Sequence, residues 1–160
     1  MSRLIGTVLC VGLIRPAPGT WGSVAAVFLA WGLSVVANPL WILPAIVVAM
    51  GAGWWATAEM TRGAEDHDPS EIVVDELVGQ WIALVPVMIG LTHAQVGFWQ
   101  LWPGVVTAFV FFRLFDIWKP GPVGWADRQN TALGVMLDDV IAGVMAAIVG
   151  IAGAALAHGI

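Results

Sequence analysis

The sequence predicts an all-α, polytopic membrane helical bundle of about four to five spanning or partly re-entrant helices, with the charged loops on one side. Hydrophobic residues make up 59% of the 160 residues, charged residues only 11%, and the mean hydropathy is +0.88. A soluble domain usually carries about 25% charged residues, so this chain lacks the polar surface to cover itself in water. Stretches 16–58, 77–112 and 140–160 contain no Asp, Glu, Lys or Arg. Because a spanning helix needs about 20 apolar residues, these stretches predict the spans.

Polar residues divide the first two charge-free stretches. Asn38 and Pro39 interrupt the first, and residues 92–95 interrupt the second. The predicted spans are residues 21–37, 40–58, 77–91, 98–112 and 140–158. The third and fourth are short, so they could be tilted or partly re-entrant, which membranes tolerate only where the irregular backbone is buried in protein.

Five crossings place the turns near Asn38 and His93 on one side of the membrane and every charged residue on the other. All six Lys and Arg residues then lie on the charged side, which the positive-inside rule assigns to the cytoplasm. The eleven Asp and Glu residues outnumber them, and this excess of carboxylates predicts a bound cation. The negative net charge and the lack of a basic stripe argue against nucleic-acid binding.

A turn rich in proline and glycine precedes the first predicted span, at residues 15–23. Thr20 or Ser23 could cap the helix that follows. A helix start with free N–H groups, small residues and hydroxyls can bind a phosphate. A capped helix entry with no ligand explains this segment about equally well.

An acidic segment, residues 65–76, precedes the third predicted span. Asp75 and Glu76 lie at the start of an apolar run, where an unpaired carboxylate is costly, so we favour a metal or substrate role for both. A solvated loop explains the acidic residues further upstream. Glu71 and Asp75 share one face of a predicted helix, and Glu76 or Glu71 is a possible general base. His67 could serve as a general acid, although a solvated loop histidine is the simpler interpretation.

Two further charged groups adjoin the fourth and fifth spans. Arg113 and Asp116 are three residues apart on a predicted helix, where an ion pair beside a snorkelling Lys119 would explain them. The same spacing can also present a phosphate donor beside a metal ligand. Asp138 and Asp139 point about 100° apart on a helix, so one can bind a metal while the other braces it. Carboxylate oxygens suit Mg²⁺, which also takes substrate phosphate as a ligand.

Other chemistries fit the residues less well. No Walker loop, G-x-S-x-G elbow or H-E-x-x-H motif occurs. A small cation channel or carrier could use the acidic cluster as an ion site, but such proteins place ionisable residues deep inside spans and often have paired halves. Neither feature is visible in the sequence. A non-catalytic scaffold would leave the acidic cluster without a purpose.

Four blocks, in order along nearly the whole chain, resemble the bacterial phosphatidylglycerophosphatase A family. They are APGTWGS at 17–23, IVVDELVG at 72–79, FRLFDIWKPGP at 112–122 and GVMLDDVIAG at 134–143. The resemblance implies a single membrane-embedded phosphatase domain over residues 1–160, in the bacterial cytoplasmic (inner) membrane, with its active site at the cytoplasmic face. It implies Mg²⁺-dependent removal of the terminal phosphate of phosphatidylglycerophosphate, giving phosphatidylglycerol.

By position, the resemblance also implies roles for particular residues. The metal-binding group would be Asp75, Glu76, Asp116, Asp138 and Asp139. The catalytic residues would be Asp75, Glu76, Asp116, Arg113 and Lys119. Thr20, Ser23, Arg113 and Lys119 would bind the substrate. Our hypothesis is metal-assisted hydrolysis of a phosphomonoester, in which the cations steady the phosphate oxygens as charge builds. A covalent step through Asp75 or Asp116 is an alternative.

Overall fold

The computed structural model describes residues 1–64 and 69–159, so His67 and its acidic neighbours lie outside the described residues. The described residues form seven α-helices joined by turns and short 3₁₀ helices, and no β-strand occurs among them. The helices are α1 (Ser2–Gly6), α2 (Pro18–Val36), α3 (Ile42–Met60), α4 (Val74–Ala94), α5 (Trp102–Trp118), α6 (Pro122–Asp127) and α7 (Ala132–His158).

Five helical segments are long and apolar enough to cross a membrane. They are Pro18–Val36, Pro39–Met60, Val74–Ala94, Phe98–Trp118 and Ala132–Ala157. The all-α polytopic bundle predicted from the sequence is therefore confirmed. The third and fourth segments are each 21 residues long, so they are full-length spans rather than the short helices predicted at 77–91 and 98–112.

Several charged residues lie within the end turns of these helices rather than just beyond their ends. Helix α7 begins at Ala132, about two turns before the predicted start at residue 140, and it includes Asp138 and Asp139. Helix α5 likewise continues past Arg113 and Asp116. The prediction that each span ends at its first charged residue was wrong. A charged side chain does not interrupt the backbone hydrogen bonds of a helix, so the helix continues past it.

Helix α4 is the central helix of the bundle. It packs against α2, α3, α5 and α7, and half of its span is buried inside the protein. Two apolar clusters surround it: one includes Leu84, Val105 and Phe112, and the other includes Val78 and Met136. Side chains near the start of α4 are therefore enclosed by neighbouring helices.

Two glycines let α4 and α7 cross almost in backbone contact. A Cβ atom on Gly79 would lie 2.6 Å from the carbonyl oxygen of Asp139, and one on Gly143 would lie 3.0 Å from the carbonyl carbon of Gly79. Small residues commonly allow such close packing in membranes. Gly79 follows Asp75 by one turn, and Gly143 follows Asp139 by one turn. The crossing therefore brings these two carboxylates together.

Candidate active site

Four helices bring charged residues to one end of the bundle, which we call the charged end. The beginnings of α2, α4 and α7 and the end of α5 meet there, because successive spans run in opposite directions. Asp75 and Glu76 lie in the first turn of α4, Arg113 and Asp116 near the end of α5, and Asp139 in the second turn of α7. Side chains distant in the sequence thus share one site.

Three carboxylates, Asp75, Glu76 and Asp139, form what we call the acidic triad. One oxygen from each lies within 4.8 Å of the others. Asp75 and Asp139 are only 6% and 2% exposed. Oε2 of Glu76 and Oδ1 of Asp139 are buried without a hydrogen-bond partner among the described residues. Burying a carboxylate oxygen without a donor is costly, so these oxygens indicate a place for a cation or a donor.

The start of α2 lies directly against Glu76. A Cβ atom on Gly19 would lie 3.0 Å from Cδ of Glu76 and 3.2 Å from Nη1 of Arg113, so only glycine leaves room for both side chains. Free N–H groups at a helix start favour a negative charge. Asp75 has a similar position at the start of α4, where its Oδ1 accepts the N–H of Glu76 at 3.0 Å.

Arg113 joins three helices at the edge of the acidic triad. It pairs with Asp116, its Nη1 lies 3.8 Å from Oε1 of Glu76, and the same nitrogen lies 3.5 Å from Oγ of Ser23. Its Nε is buried and has no partner among the described residues. Asp116 lies close enough to Asp139 for their two carboxylates to interact. Like charges repel at short range, so this proximity favours a proton or a cation between them.

Lys119, Asp127 and Asp138 form a separate cluster, which we call the lysine group. Lys119 ends α5 in a left-handed conformation with φ +49°. Its Nζ donates to Asp127 and, at 3.0 Å, to Oδ2 of Asp138. Burial lowers the pKa of Lys119, but the two carboxylates outweigh it and raise the pKa above its usual value. Oδ1 of Asp138 accepts the N–H of Asp139 at 2.9 Å, so both Asp138 oxygens are engaged.

Two local predictions were wrong. Neither Thr20 nor Ser23 caps α2, because the helix begins at Pro18 with Ala17 as its N-cap residue and no side-chain cap. Ser23 is buried, and its hydroxyl donates to the carbonyl of Gly19 at 3.0 Å. Glu71 precedes α4, so it does not share a helical face with Asp75, and it pairs with Arg3 at 3.3 Å.

Sequence reasoning missed two polar residues. Asp127 completes the lysine group from α6, and only its position between Lys119 and Asp138 could have suggested it. Gln80 is fully buried, and neither atom of its amide has a partner among the described residues. It follows Glu76 by one turn, and helical side chains lean toward the start of their helix, here toward the acidic triad. The sequence signal for Gln80 was its position as a single amide side chain within a long run of apolar residues.

The acidic triad has the chemistry of a magnesium site. Its donors are carboxylate oxygens, which Mg²⁺ prefers, and two of them are buried without a donor. Asp116 adjoins this set through Asp139. Asp138 is held by Lys119 outside the set. The five predicted metal ligands thus divide into three that converge, one at their edge and one engaged elsewhere.

The family that this chain matches covers every residue of this site. The family model described as phosphatidylglycerophosphatase A matches residues 4–154, which include every residue of the acidic triad and the lysine group. The chain belongs to the phosphatidylglycerophosphatase A family. It is therefore a membrane enzyme of the phosphatase class, and the resemblance seen in the sequence is confirmed.

Three curated relatives extend the comparison. The chain is 35% identical to phosphatidylglycerophosphatase A of Escherichia coli, over 85% of this chain and 73% of that protein. It is 35% identical to phosphatidylglycerophosphatase A of Haemophilus influenzae, over 86% and 79%. It is 39% identical to a candidate phosphatidylinositol-3-phosphatase of Bacteroides thetaiotaomicron, over 88% and 86%. No solved structure matches the chain.

Proposed function

We propose that this enzyme hydrolyses the terminal phosphomonoester of phosphatidylglycerophosphate to phosphatidylglycerol and phosphate, with Mg²⁺ as its cofactor. The observation that carries the proposal is the acidic triad, in which Oε2 of Glu76 and Oδ1 of Asp139 are buried without a donor among the described residues, close to the guanidinium of Arg113. Two relatives are named for this reaction, and the third is named for another lipid phosphomonoester. A phosphomonoester on a lipid headgroup is the chemistry that the three names share.

Asp75 and Asp139 of the acidic triad would hold the cofactor, with Asp116 beside them, which leaves Glu76 available as a base. When bound, Mg²⁺ would supply positive charge and Lewis acidity to the phosphate oxygens. Asp138 would act indirectly, because its carboxylate accepts the N–H of Asp139 and holds Lys119. Such bracing of a ligand residue commonly affects metal affinity and activity.

Arg113 would bind the non-bridging oxygens of the phosphate. Its Nε–H has no partner among the described residues, and its Nη1 already lies near Ser23 and Glu76. Planar guanidinium donors suit phosphate, and donors fixed in a site with little water stabilise the charge that develops during transfer. Ser23 and the neighbouring half-buried Thr20 would complete this side of the phosphate site.

Glu76 would accept the proton of the attacking water. Its Oε2 is buried and accepts no hydrogen bond among the described residues, so it can take a proton at the acidic triad. As the water oxygen attacks phosphorus, the ester P–O bond breaks. The leaving glycerol oxygen takes a proton from solvent, and Glu76 returns to solvent the proton that it accepted, so phosphatidylglycerol leaves as the alcohol. Glu71 is less suited to this role because it pairs with Arg3.

We also infer that the charged end faces the cytoplasm of a bacterial inner membrane. All six Lys and Arg residues belong to the segments at this end. Basic residues concentrate on the cytoplasmic side of membrane proteins. The acyl chains of the substrate can then stay in the bilayer while its headgroup reaches the site.

The test is phosphate release by the purified enzyme in detergent micelles containing phosphatidylglycerophosphate. We expect release with Mg²⁺, loss with a chelator and recovery when Mg²⁺ is added back. Glu59→Gln changes a carboxylate at the same end that pairs with exposed Arg62, so it should keep full activity. Equal release with and without chelator would reject the metal. Faster release from phosphatidic acid or phosphatidylinositol-3-phosphate would reject the substrate assignment.

A further inference from the structure

An apolar groove opens between α2 and α5 on the lipid-facing side of the bundle. Its volume is about 230 Å³. The residues that line it are Val24, Val27, Phe28, Val105, Val106 and Phe109. All six are apolar, and Phe28 and Val106 are exposed at its mouth.

The groove continues directly from the phosphate side of the candidate active site. Counting four residues at a time along α2, α4 and α5 gives three sets, which we call layers and which are one helical turn apart. The layers are Gly19, Glu76 and Arg113; then Ser23, Gln80 and Phe109; then Val27, Leu84 and Val105. The first layer is in mutual contact, and the third lies in one apolar cluster. The charged residues of the first layer and the apolar residues of the third are therefore about two helical turns, or roughly 11 Å, apart along the helices.

The contact between Arg113 and Ser23 marks the upper end of the groove. Nη1 of Arg113 lies 3.5 Å from Oγ of Ser23, and Val24 follows Ser23 directly. Phe109 precedes Arg113 by one turn on the same helix. A phospholipid has the same order along its length, with an anionic phosphate, a polar glycerol region and apolar chains.

We propose that the groove between α2 and α5 seats an acyl chain of the lipid substrate while the phosphate lies at Arg113. This inference rests on the proposed function and adds the helices between which the substrate enters. A groove of about 230 Å³ is too small to enclose a helix of a second protein, whose diameter is about 10 Å. A flexible hydrocarbon chain fits a shallow apolar groove that opens to the bilayer.

The groove would orient the substrate rather than tighten its binding. In a bilayer or micelle an acyl chain is already in an apolar environment, so burial against protein adds little affinity. A chain held along α2 and α5 would instead fix the angle at which the headgroup meets the acidic triad. Correct alignment of reacting groups has a large effect on rate.

The first test fills the mouth of the groove with Val106→Trp. We expect kcat/KM for long-chain phosphatidylglycerophosphate to fall at least tenfold, and kcat/KM for a diacetyl analogue, whose chains cannot reach the groove, to stay within twofold. Val47→Trp is the matched control, because Val47 is 72% exposed on the lipid-facing side of α3. It should change neither value. Equal effects of Val106→Trp on both substrates, or no effect on the long-chain one, would overturn the groove assignment.

A second test locates the chain directly, using Asp139→Asn protein and a phosphatidylglycerophosphate analogue that carries a photoreactive group in mid-chain. We expect crosslinks concentrated at residues 24–28 and 105–109. Uniform labelling of the lipid-facing helices, including α3, would overturn the inference. Wild-type enzyme that releases no phosphate from any lipid would instead contradict the proposed function, so the two failures are distinguishable.

Discussion

Asp138 and Asp139 are neighbours on α7, yet they belong to two different ionic environments. Asp138 lies in the lysine group, where Lys119 and a backbone N–H engage its two oxygens. Asp139 lies in the acidic triad, where its Oδ1 is buried without a donor among the described residues. The first cluster is complete within the protein, whereas the second needs a further positive group. Adjacent carboxylates on one helix can thus serve structure and chemistry separately.

The free energy of burying charge explains this division. A buried carboxylate is tolerated when a cation and hydrogen bonds compensate it, as in the lysine group. At the acidic triad, Arg113 already pairs with Asp116 and Glu76, and Oδ1 of Asp139 is buried without a donor among the described residues. A divalent cation would supply the missing charge. The same imbalance should make the acidic triad sensitive to conservative substitutions.

Asp139→Asn should have the largest effect on activity. It removes a charged oxygen ligand without changing the size of the side chain, so kcat should fall by more than about 100-fold. Asp138→Asn is the matched control on the next residue and should cost about tenfold or less, because it changes only the bracing of Asp139. Phosphate release under saturating lipid measures both. Equal losses for the two variants would contradict the division between the clusters.

Arg113→Lys should have the next largest effect. Lysine keeps the charge but loses the planar set of donors, including the Nε–H that lacks a partner among the described residues. We expect kcat/KM to fall about 100-fold, as when a donor to a developing charge is removed. Arg62→Lys, on an exposed pair at the same end, should have no effect. Near-normal turnover of Arg113→Lys would exclude a bidentate phosphate contact.

Lys119→Met should act mainly on stability. It leaves Asp138, whose side chain is 7% exposed, without its cation, while Lys119 itself is 29% exposed. We expect a loss of about 1–3 kcal/mol in the free energy of unfolding, between the values for exposed and buried pairs. Lys119→Met combined with Asp138→Asn should recover part of that loss. A variant with unchanged stability but a raised KM would instead show that Lys119 binds substrate, as predicted from the sequence.

The contribution of Lys119 itself to stability should not vary near neutral pH. Because its partners raise the pKa of Lys119 in the folded protein, its stabilisation is fully present below the unfolded value of about 10.4. That stabilisation is lost only as the pH rises through the folded pKa. The comparison uses Asp138→Asn with and without Lys119→Met, because position 138 then does not titrate. The difference in unfolding free energy between these two variants should be constant from about pH 6 to pH 9.

Gln80→Leu should have the smallest effect and should separate function from stability. A buried amide without a partner among the described residues adds nothing to stability, so an apolar residue of similar size should keep or slightly raise the melting temperature. If the amide serves the acidic triad, kcat/KM should fall several-fold. Unchanged kinetics would show that Gln80 has no part in the site.

The sequence predicted the membrane bundle and the common location of its charges, but not which charges are satisfied. The charge-free stretches and the breaks at Asn38 and at residues 92–95 were sufficient for the five spans, since hydrophobic length decides spanning. Pairing depends on tertiary packing: Lys119 turns toward Asp127 only because α5 ends there and α6 folds back. The close crossing at Gly79 and Gly143, which joins Asp75 to Asp139, likewise has no local signal.

Binding of Mn²⁺, followed by electron paramagnetic resonance in detergent, tests most directly whether the acidic triad holds a divalent cation. Mn²⁺ takes the same oxygen ligands as Mg²⁺ and is observable. Wild-type protein should bind it saturably and release it to excess Mg²⁺. Asp139→Asn should weaken binding at least tenfold, while Asp138→Asn should stay within about threefold of wild type. Absence of saturable binding, or equal weakening by both substitutions, would contradict the account.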